Sequence, residues 1–367
     1  SMSPVLQREK APDADPSREL VQLVASVLAR GGLVAMPTET VYGIAARADL
    51  PAALAALRDL KGRPEDLALT WHIGSRALID AEHLLAPPAR RLADRYWPGP
   101  LTLVVPVVPP GLESAAREGW TGIRLPAHRA TAGILAQLPF PVVLSSANRH
   151  GARPATNADE VLESIGDAGR VELLLDGGAA KLSESSCVLR IGRGRFEILR
   201  EGLIGLDQLR AASGMRLGFA CTGNTCRSPM AEAWARKRIA DRLEVAPDRL
   251  AHFGFVVESM GVQASHGSPA SRLAVAVMKE LGVDLTGHRS RAAQSRDLLA
   301  FDKIYCMTRG HQEALAFVLP PGKTQHIELL DPQGRDVPDP IGGTRDDYSQ
   351  ALTRIRAAIE LRLPEWA

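Results

Sequence analysis

Cys221-Thr222-Gly223-Asn224-Thr225-Cys226-Arg227-Ser228-Pro229 is the stretch that decides how this chain of 367 residues is read. A short apolar run, Leu217 to Ala220, precedes it, and Met230, Trp234 and Ile239 follow at helical spacing. The local expectation is strand, tight loop and helix, with Pro229 at the first helical position, where its missing N–H is not needed. Such a loop turns successive backbone N–H groups inward at a helix N-terminus and makes an anion cradle. Gly223 and Asn224 accept the left-handed backbone that the cradle requires. A thiolate at Cys221 gains from those donors, from the helix dipole and from Arg227. Ser228 is placed to hydrogen-bond the sulfur and lower its pKa. The planar guanidinium of Arg227 suits two phosphate oxygens at once, and Thr222, Thr225 and Cys226 complete the pocket.

A cysteine six residues before an arginine is by itself a common coincidence, but the whole string between a strand and a helix is not. It resembles the low-molecular-weight protein phosphatase family. Other parts of that family's pattern follow in order: Ser259-Met260-Gly261, His288-Arg289-Ser290, and the strand Asp302 to Met307 carrying Cys306. Then come Val337-Pro338-Asp339-Pro340, Gly342-Gly343 and a long helix with Tyr348, Leu352, Ile355 and Ile359. The resemblance covers residues 215–367. It implies a flavodoxin-like, four-stranded parallel sheet with a phosphate-binding loop, no cofactor, and Asp339 as general acid. Cys226 reads first as packing beneath the loop; the alternative is a reversible disulfide with Cys221 that guards the nucleophile against over-oxidation. Tyrosine-directed members carry Ile where this chain has Thr225, and tyrosines where it has Ile341-Gly342. Thr225 resembles the protein-arginine phosphatase branch, although that branch carries Phe at the place of Ile341. Phosphoarginine is therefore favoured over phosphotyrosine.

Upstream, Ser17 is placed to cap a helix in which Leu20, Val21, Val24, Val27 and Leu28 fall on one face. Gly31-Gly32 ends it, Leu33 to Met36 reads as a buried strand, and Pro37-Thr38-Glu39-Thr40-Val41-Tyr42-Gly43 follows. Further on stand Lys61-Gly62-Arg63-Pro64, Trp97-Pro98-Gly99-Pro100, Arg124-Leu125-Pro126 and Ser146-Ala147-Asn148 at the end of an apolar strand. Gly192-Arg193-Gly194 reads as a hairpin turn between two strands. Taken singly, Lys61 and Arg63 are ordinary helix-end charges, and Ser146 and Asn148 an ordinary turn.

Together, in order and spacing, these motifs are similar to the YrdC-type threonylcarbamoyl-AMP synthase family over residues 18–205. The resemblance implies a twisted α/β sheet around a concave basic cavity. It implies a reaction of L-threonine, bicarbonate and ATP with Mg2+, giving threonylcarbamoyl-adenylate and pyrophosphate. The product feeds tRNA modification by other enzymes, so tRNA is an indirect partner. By the same resemblance, Lys61, Arg63 and Arg200 hold the triphosphate, Arg124 the threonine carboxylate, and Ser146 and Asn148 the nucleotide. Thr38, His72 and Ser186 fall at further substrate-side positions. Leu67-Ala68-Leu69, His150-Gly151 and Ser186-Cys187-Val188-Leu189-Arg190 depart from the family's usual residues. The alternative reading is an active phosphatase whose first domain only binds nucleotide or RNA as a regulator.

Length alone predicts about two domains. Residues 1–17, rich in proline, aspartate and charge, are expected to be a disordered tail, and residues 206–214 a short linker. Ser1 ahead of Met2 reads as a cleavage scar. Lys and Arg number 44 against 42 Asp and Glu, a net charge of +2, which gives no basic excess for non-specific nucleic-acid binding. Four cysteines are too few and too scattered for a disulfide framework, which points to a reducing, cytoplasmic setting. The histidine and cysteine spacings predict no metal site. No run approaches the roughly twenty apolar residues of a membrane span. The expected partner of the second domain is a phosphorylated protein or a small phosphate ester.

Overall fold

The computed structural model describes residues 6–62, 69–149, 151–165 and 170–367. The chain divides into two units after Gln208. Both have the α/β character expected from the sequence.

In the first unit the apolar runs become a ten-stranded mixed sheet. Its strands are β1 (Gln7–Lys10), β2 (Leu33–Met36), β3 (Gly43–Arg47), β4 (Thr70–His72), β5 (Leu101–Val105), β6 (Thr121–Arg124), β7 (Val142–Ser146), β8 (Val171–Asp176), β9 (Cys187–Gly192) and β10 (Arg195–Arg200). The spatial order is β1-β8-β2-β3-β7-β4-β6-β5-β9-β10. β2 is buried along its whole length, as its unbroken apolar run requires. α1 (Arg18–Ala29), capped by the Ser17 hydroxyl, lays Val24, Val27 and Leu28 on a core that includes Val34, Met36, Leu144 and Leu173. α2 (Pro51–Lys61) stops at Gly62, whose left-handed φ of 71° ends the helix and leaves Lys61 buried at its last turn. The β9–β10 connection is the expected hairpin, with Arg193 and Gly194 both left-handed at φ 46° and 70°.

Two expectations are corrected. Residues 7–10 are not part of a loose tail: β1 pairs in parallel with β8 at the sheet edge. Its charges are what fix it there. Arg8 Nη2 and Lys10 Nζ donate to Asp176 Oδ2 at 2.9 and 2.6 Å. Those cations, Lys10 first among them, and the Gly178 N–H hold the Asp176 carboxyl at about 2. The stretch expected as a linker, residues 206–214, does hold the division between the units, and the correction is to its form. Leu206–Ser213 is helical (α3), with Leu209 and Ser213 buried, because Ala211-Ala212 favours a helix and the Gln208 side chain accepts the Gly205 N–H.

The second unit is a four-stranded, all-parallel sheet in the order β12-β11-β13-β14, from β11 (Arg216–Cys221), β12 (Val256–Gly261), β13 (Lys303–Cys306) and β14 (Ile327–Leu329). The strand order reverses beside β11, and open α/β sheets place their sites at the carboxyl end of such a reversal. Cys221 ends β11 at that point. α4 (Arg227–Leu243) begins there, two residues earlier than expected. Pro229 is thus third in the helix, still within the turn whose N–H groups lack intrahelical partners. α5 (Arg309–Phe317) follows β13, and α6 (Arg345–Trp366) closes the unit behind a Thr344–Asp347 capping box. Phe219, Tyr305 and Trp366 form an aromatic cluster with centroids 5.4–6.2 Å apart, and Trp366 Nε1 donates to the Tyr305 hydroxyl at 3.0 Å.

Gly254 follows the 3-10 helix Pro247–Phe253 at φ 80°, and a Cβ there would fall 1.8 Å from the Arg210 carbonyl oxygen. Gly254→Ala is expected to cost about 3 kcal/mol. Thermal melting should show the second unit's transition lowered by roughly 10 °C.

Two candidate active sites

β3, β4, β5, β6, β7 and β10, with the end of α2 and the turns beside the strands, carry the residues that enclose a cavity of about 260 Å³ in the first unit. Thr38, Lys61, His72, Arg124, Ser146, Asn148, Ser186 and Arg200 all line it, although they come from seven separate stretches of the chain. Arg63 lies outside the described residues.

Lys61 is buried, and its ammonium donates to the Ser146 and Asn148 carbonyls at 2.7 and 2.6 Å and to Asn148 Oδ1 at 2.9 Å. Burial pushes it down to about 8, while those oxygens favour the charged form. The immediate task of Lys61 is therefore to brace the turn after β7. Arg124 is also committed. Its Nη2 donates to Glu39 Oε1 at 2.6 Å and to Thr40 Oγ1 at 2.9 Å, and Nε to the Gly99 carbonyl at 3.2 Å. Nη1 makes no hydrogen bond within the described residues. Removing either partner of the buried Arg124–Glu39 pair would strand a charge, at a cost of about 3–5 kcal/mol. Arg200 donates to Ser186 Oγ at 2.8 Å, and that hydroxyl lies 3.0 Å from Thr102 Oγ1.

Sequence reasoning quoted Glu39 within a motif but gave it no part, and it passed over Thr102. Each carried a signal. Glu39 is an acid between two threonines beside an apolar run, and Thr102 is the polar residue of the strand Leu101–Val105.

In the second unit, Cys221 is 3% exposed, and its Sγ lies 3.0 Å from Ser228 Oγ. Asn224 holds the loop's shape from a left-handed φ of 53°. Its Nδ2 donates to Ser228 Oγ at 2.9 Å and Ser259 Oγ at 2.8 Å, and its Oδ1 accepts the Arg291 N–H at 2.9 Å. The Asn224 carbonyl is 2.7 Å from His288 Nε2. Buried Arg227 reaches Val337 O at 3.0 Å and Asp339 Oδ2 at 2.5 Å, while its Nε has no partner among the described residues. Thr222, Gly223 and Thr225 are half-exposed at the open side of the loop. Cys226 is buried beneath it, 3.3 Å from the Tyr348 hydroxyl, and all four cysteines are free. A thiol, a guanidinium and a carboxyl group thus meet at one sheet terminus.

Comparison with known proteins places both units. A family model described as "Telomere recombination", that of the YrdC-type proteins, matches residues 26–202. A second, "Low molecular weight phosphotyrosine protein phosphatase", matches residues 216–367. The threonylcarbamoyl-AMP synthase of Pyrococcus abyssi is 32% identical over 234 residues, 61% of this chain and 66% of that protein. Its Bacillus subtilis counterpart is 33% identical over 195 residues, 52% and 55% of the two chains. This chain therefore spans only part of the length of either relative. A relative from Mycobacterium tuberculosis is 34% identical over 208 residues, 55% of this chain and 94% of its own. Among solved structures, the low molecular weight protein tyrosine phosphatase from T. tengcongensis is 32% identical, with 40% and 96% of the two chains covered and a TM-score of 0.36. The chain belongs to the threonylcarbamoyl-AMP synthase family through its first unit and carries a low-molecular-weight phosphatase domain as its second.

His72 is fully enclosed, and burial first, then Arg124, pushes it down to about 3. The unfolded chain takes up this proton near the ordinary histidine value of about 6.5 while the folded chain refuses it. Stability therefore falls as pH drops from about 6.5 toward 3. Melting at pH 7 and pH 5 should show His72→Asn with a flatter acid limb for the first unit than the native chain has.

Proposed function

We propose that the chain joins a cysteine-dependent protein phosphatase to an L-threonylcarbamoyladenylate synthase. The observation that supports the first activity best is the loop itself: Cys221 beside Ser228, with Arg227 and Asp339 closing over it. The Cys221 sulfur attacks phosphorus in line, and the bond from phosphorus to the leaving group breaks as Asp339 gives that group a proton. Loop N–H groups and Arg227 hold the equatorial oxygens, with the partnerless Arg227 Nε as one donor. Asp339 then takes a proton from water, which displaces the thiolate and releases phosphate. Every part is a side chain or a backbone group, and the thiolate needs a reducing compartment such as the cytoplasm. Among the described residues, no helix is long and apolar enough to cross a membrane.

The favoured substrate group is phosphoarginine. Thr225 offers a polar edge at the pocket, Ile341 is exposed after Asp339, and Tyr348 is buried against Cys226, so no aromatic wall follows the acid. Cys221→Ser should leave less than about 1% of turnover. Asp339→Asn should slow it about a hundredfold, most for poor leaving groups. Thr225→Ile should move the phosphotyrosine-to-phosphoarginine rate ratio up by about tenfold; an unchanged ratio removes Thr225 as the discriminator.

For the first unit, the cavity is lined by Lys61, Arg124 and Arg200, and Glu39, which pairs with Arg124, is not among its lining residues. That balance suits a triphosphate and a substrate carboxylate. Mg2+ would arrive with ATP, held by phosphate oxygens rather than by the cavity's cations and hydroxyls. Adenylyl transfer to a threonine carbamate then depends on positioning and charge. Pyrophosphate release from ATP should require threonine and bicarbonate together, and Lys61→Ala should reduce it more than tenfold by loosening Ser146 and Asn148. ATP binding with no release would leave the first unit a nucleotide-binding regulator instead.

A further inference from the structure

We propose that His311 is a positioning residue of the phosphatase site, which turns the Thr222 hydroxyl into a donor to the substrate's phosphoryl group. The inference rests on the phosphatase reading above and on a cluster which that reading leaves unused. Thr222 is the residue after the nucleophile, and its Oγ1 lies 2.9 Å from His311 Nε2. The other ring nitrogen, Nδ1, lies 3.0 Å from Thr308 Oγ1. Thr308 also caps α5, accepting the His311 backbone N–H at 3.3 Å.

Either tautomer satisfies these contacts, and the proposed role takes the one with the proton on Nε2. Thr308 Oγ1 is an acceptor for the cap, and its own proton is free for Nδ1. Nε2 then carries the ring proton and donates it to Thr222 Oγ1. The Thr222 hydroxyl proton has no acceptor among the described residues, and Thr222 is half-exposed where Cys221, Asn224 and Cys226 are buried. An entering phosphoryl oxygen supplies the missing acceptor.

Burial, more than the surrounding charges, keeps the ring in its one-proton form. Burial first, then Arg227, pushes His311 down to about 4, against Asp339 and Asp336, so it is neutral at neutral pH. With both nitrogens engaged by hydroxyls, the ring orients its neighbour and exchanges no proton with substrate.

The test measures kcat, KM and melting temperature with p-nitrophenyl phosphate. The variants are His311→Leu, His311→Gln, Thr222→Val, Thr222→Ser and the double His311→Leu/Thr222→Val. A lost phosphoryl hydrogen bond should lower kcat about tenfold in His311→Leu and in Thr222→Val. KM should stay within about twofold, since the bond tightens as charge develops. The double variant should be no worse than either single, because both remove one device. His311→Gln keeps an N–H near the position of Nε2, and Thr222→Ser keeps the hydroxyl; both should return to within about threefold of the native rate. Native rates in His311→Leu, additive losses in the double, or losses that Gln and Ser fail to rescue would each overturn the proposal. A native chain with no turnover, indistinguishable from Cys221→Ser, would overturn the phosphatase reading and this proposal with it.

Discussion

The phosphatase loop depends on one side-chain amide. Asn224 sits in a left-handed conformation that costs a non-glycine residue about 1–2 kcal/mol. The cost is offset because its amide is fully used, both N–H groups and the oxygen bonded to three different segments. Ser228, Ser259 and Arg291 belong to α4, β12 and the loop beyond, so one residue fixes where all three meet. Ser228, oriented in this way, is the group that faces the Cys221 sulfur. A glycine would relieve the strain and lose the three bonds, which explains why an amide stands at the loop's tightest point.

The first unit solves a different problem, that of keeping cations in a small cavity before any anion arrives. Lys61 is surrounded by oxygens of the turn that it supports, and Arg124 is locked to Glu39. Each charge is fixed by neutral or acidic groups of the protein, Ser146 and Asn148 for Lys61 and Glu39 for Arg124. Such prior placement of charge is what lets a site bind without reorganising. It also explains why the lining residues come from so many strands. A mixed sheet brings residues of β4, β5, β6, β7 and β10 together, which no single helix or loop could do.

How much of this was legible follows from where the information lay. The strand–loop–helix around Cys221 was readable because all its parts are contiguous and each residue type has a local backbone reason. The cavity residues were readable only as a set of motifs in order. Their roles were less so: that Lys61 braces a turn and that Glu39 holds Arg124 are long-range facts. β1 was missed for a related reason. Gln7-Arg8-Glu9-Lys10 has no apolar alternation, and its place in the sheet depends on Asp176, more than 160 residues away. α3 was missed because small residues suit a linker and a helix equally well. The early start of α4 shows that a proline marks the first turn of a helix rather than its first residue.

The Arg227–Asp339 contact bears on selectivity among simple anions. In the resting site the guanidinium is already answered by a carboxylate at 2.5 Å, so the loop is not an open positive hole. Chloride or a free carboxylate entering from solution has to displace an ion already in place, with fewer bonds to offer in exchange. A phosphoryl group brings three oxygens to the whole ring of N–H donors and wins that exchange. Asp339 thus stands against the cation that any entering anion would meet.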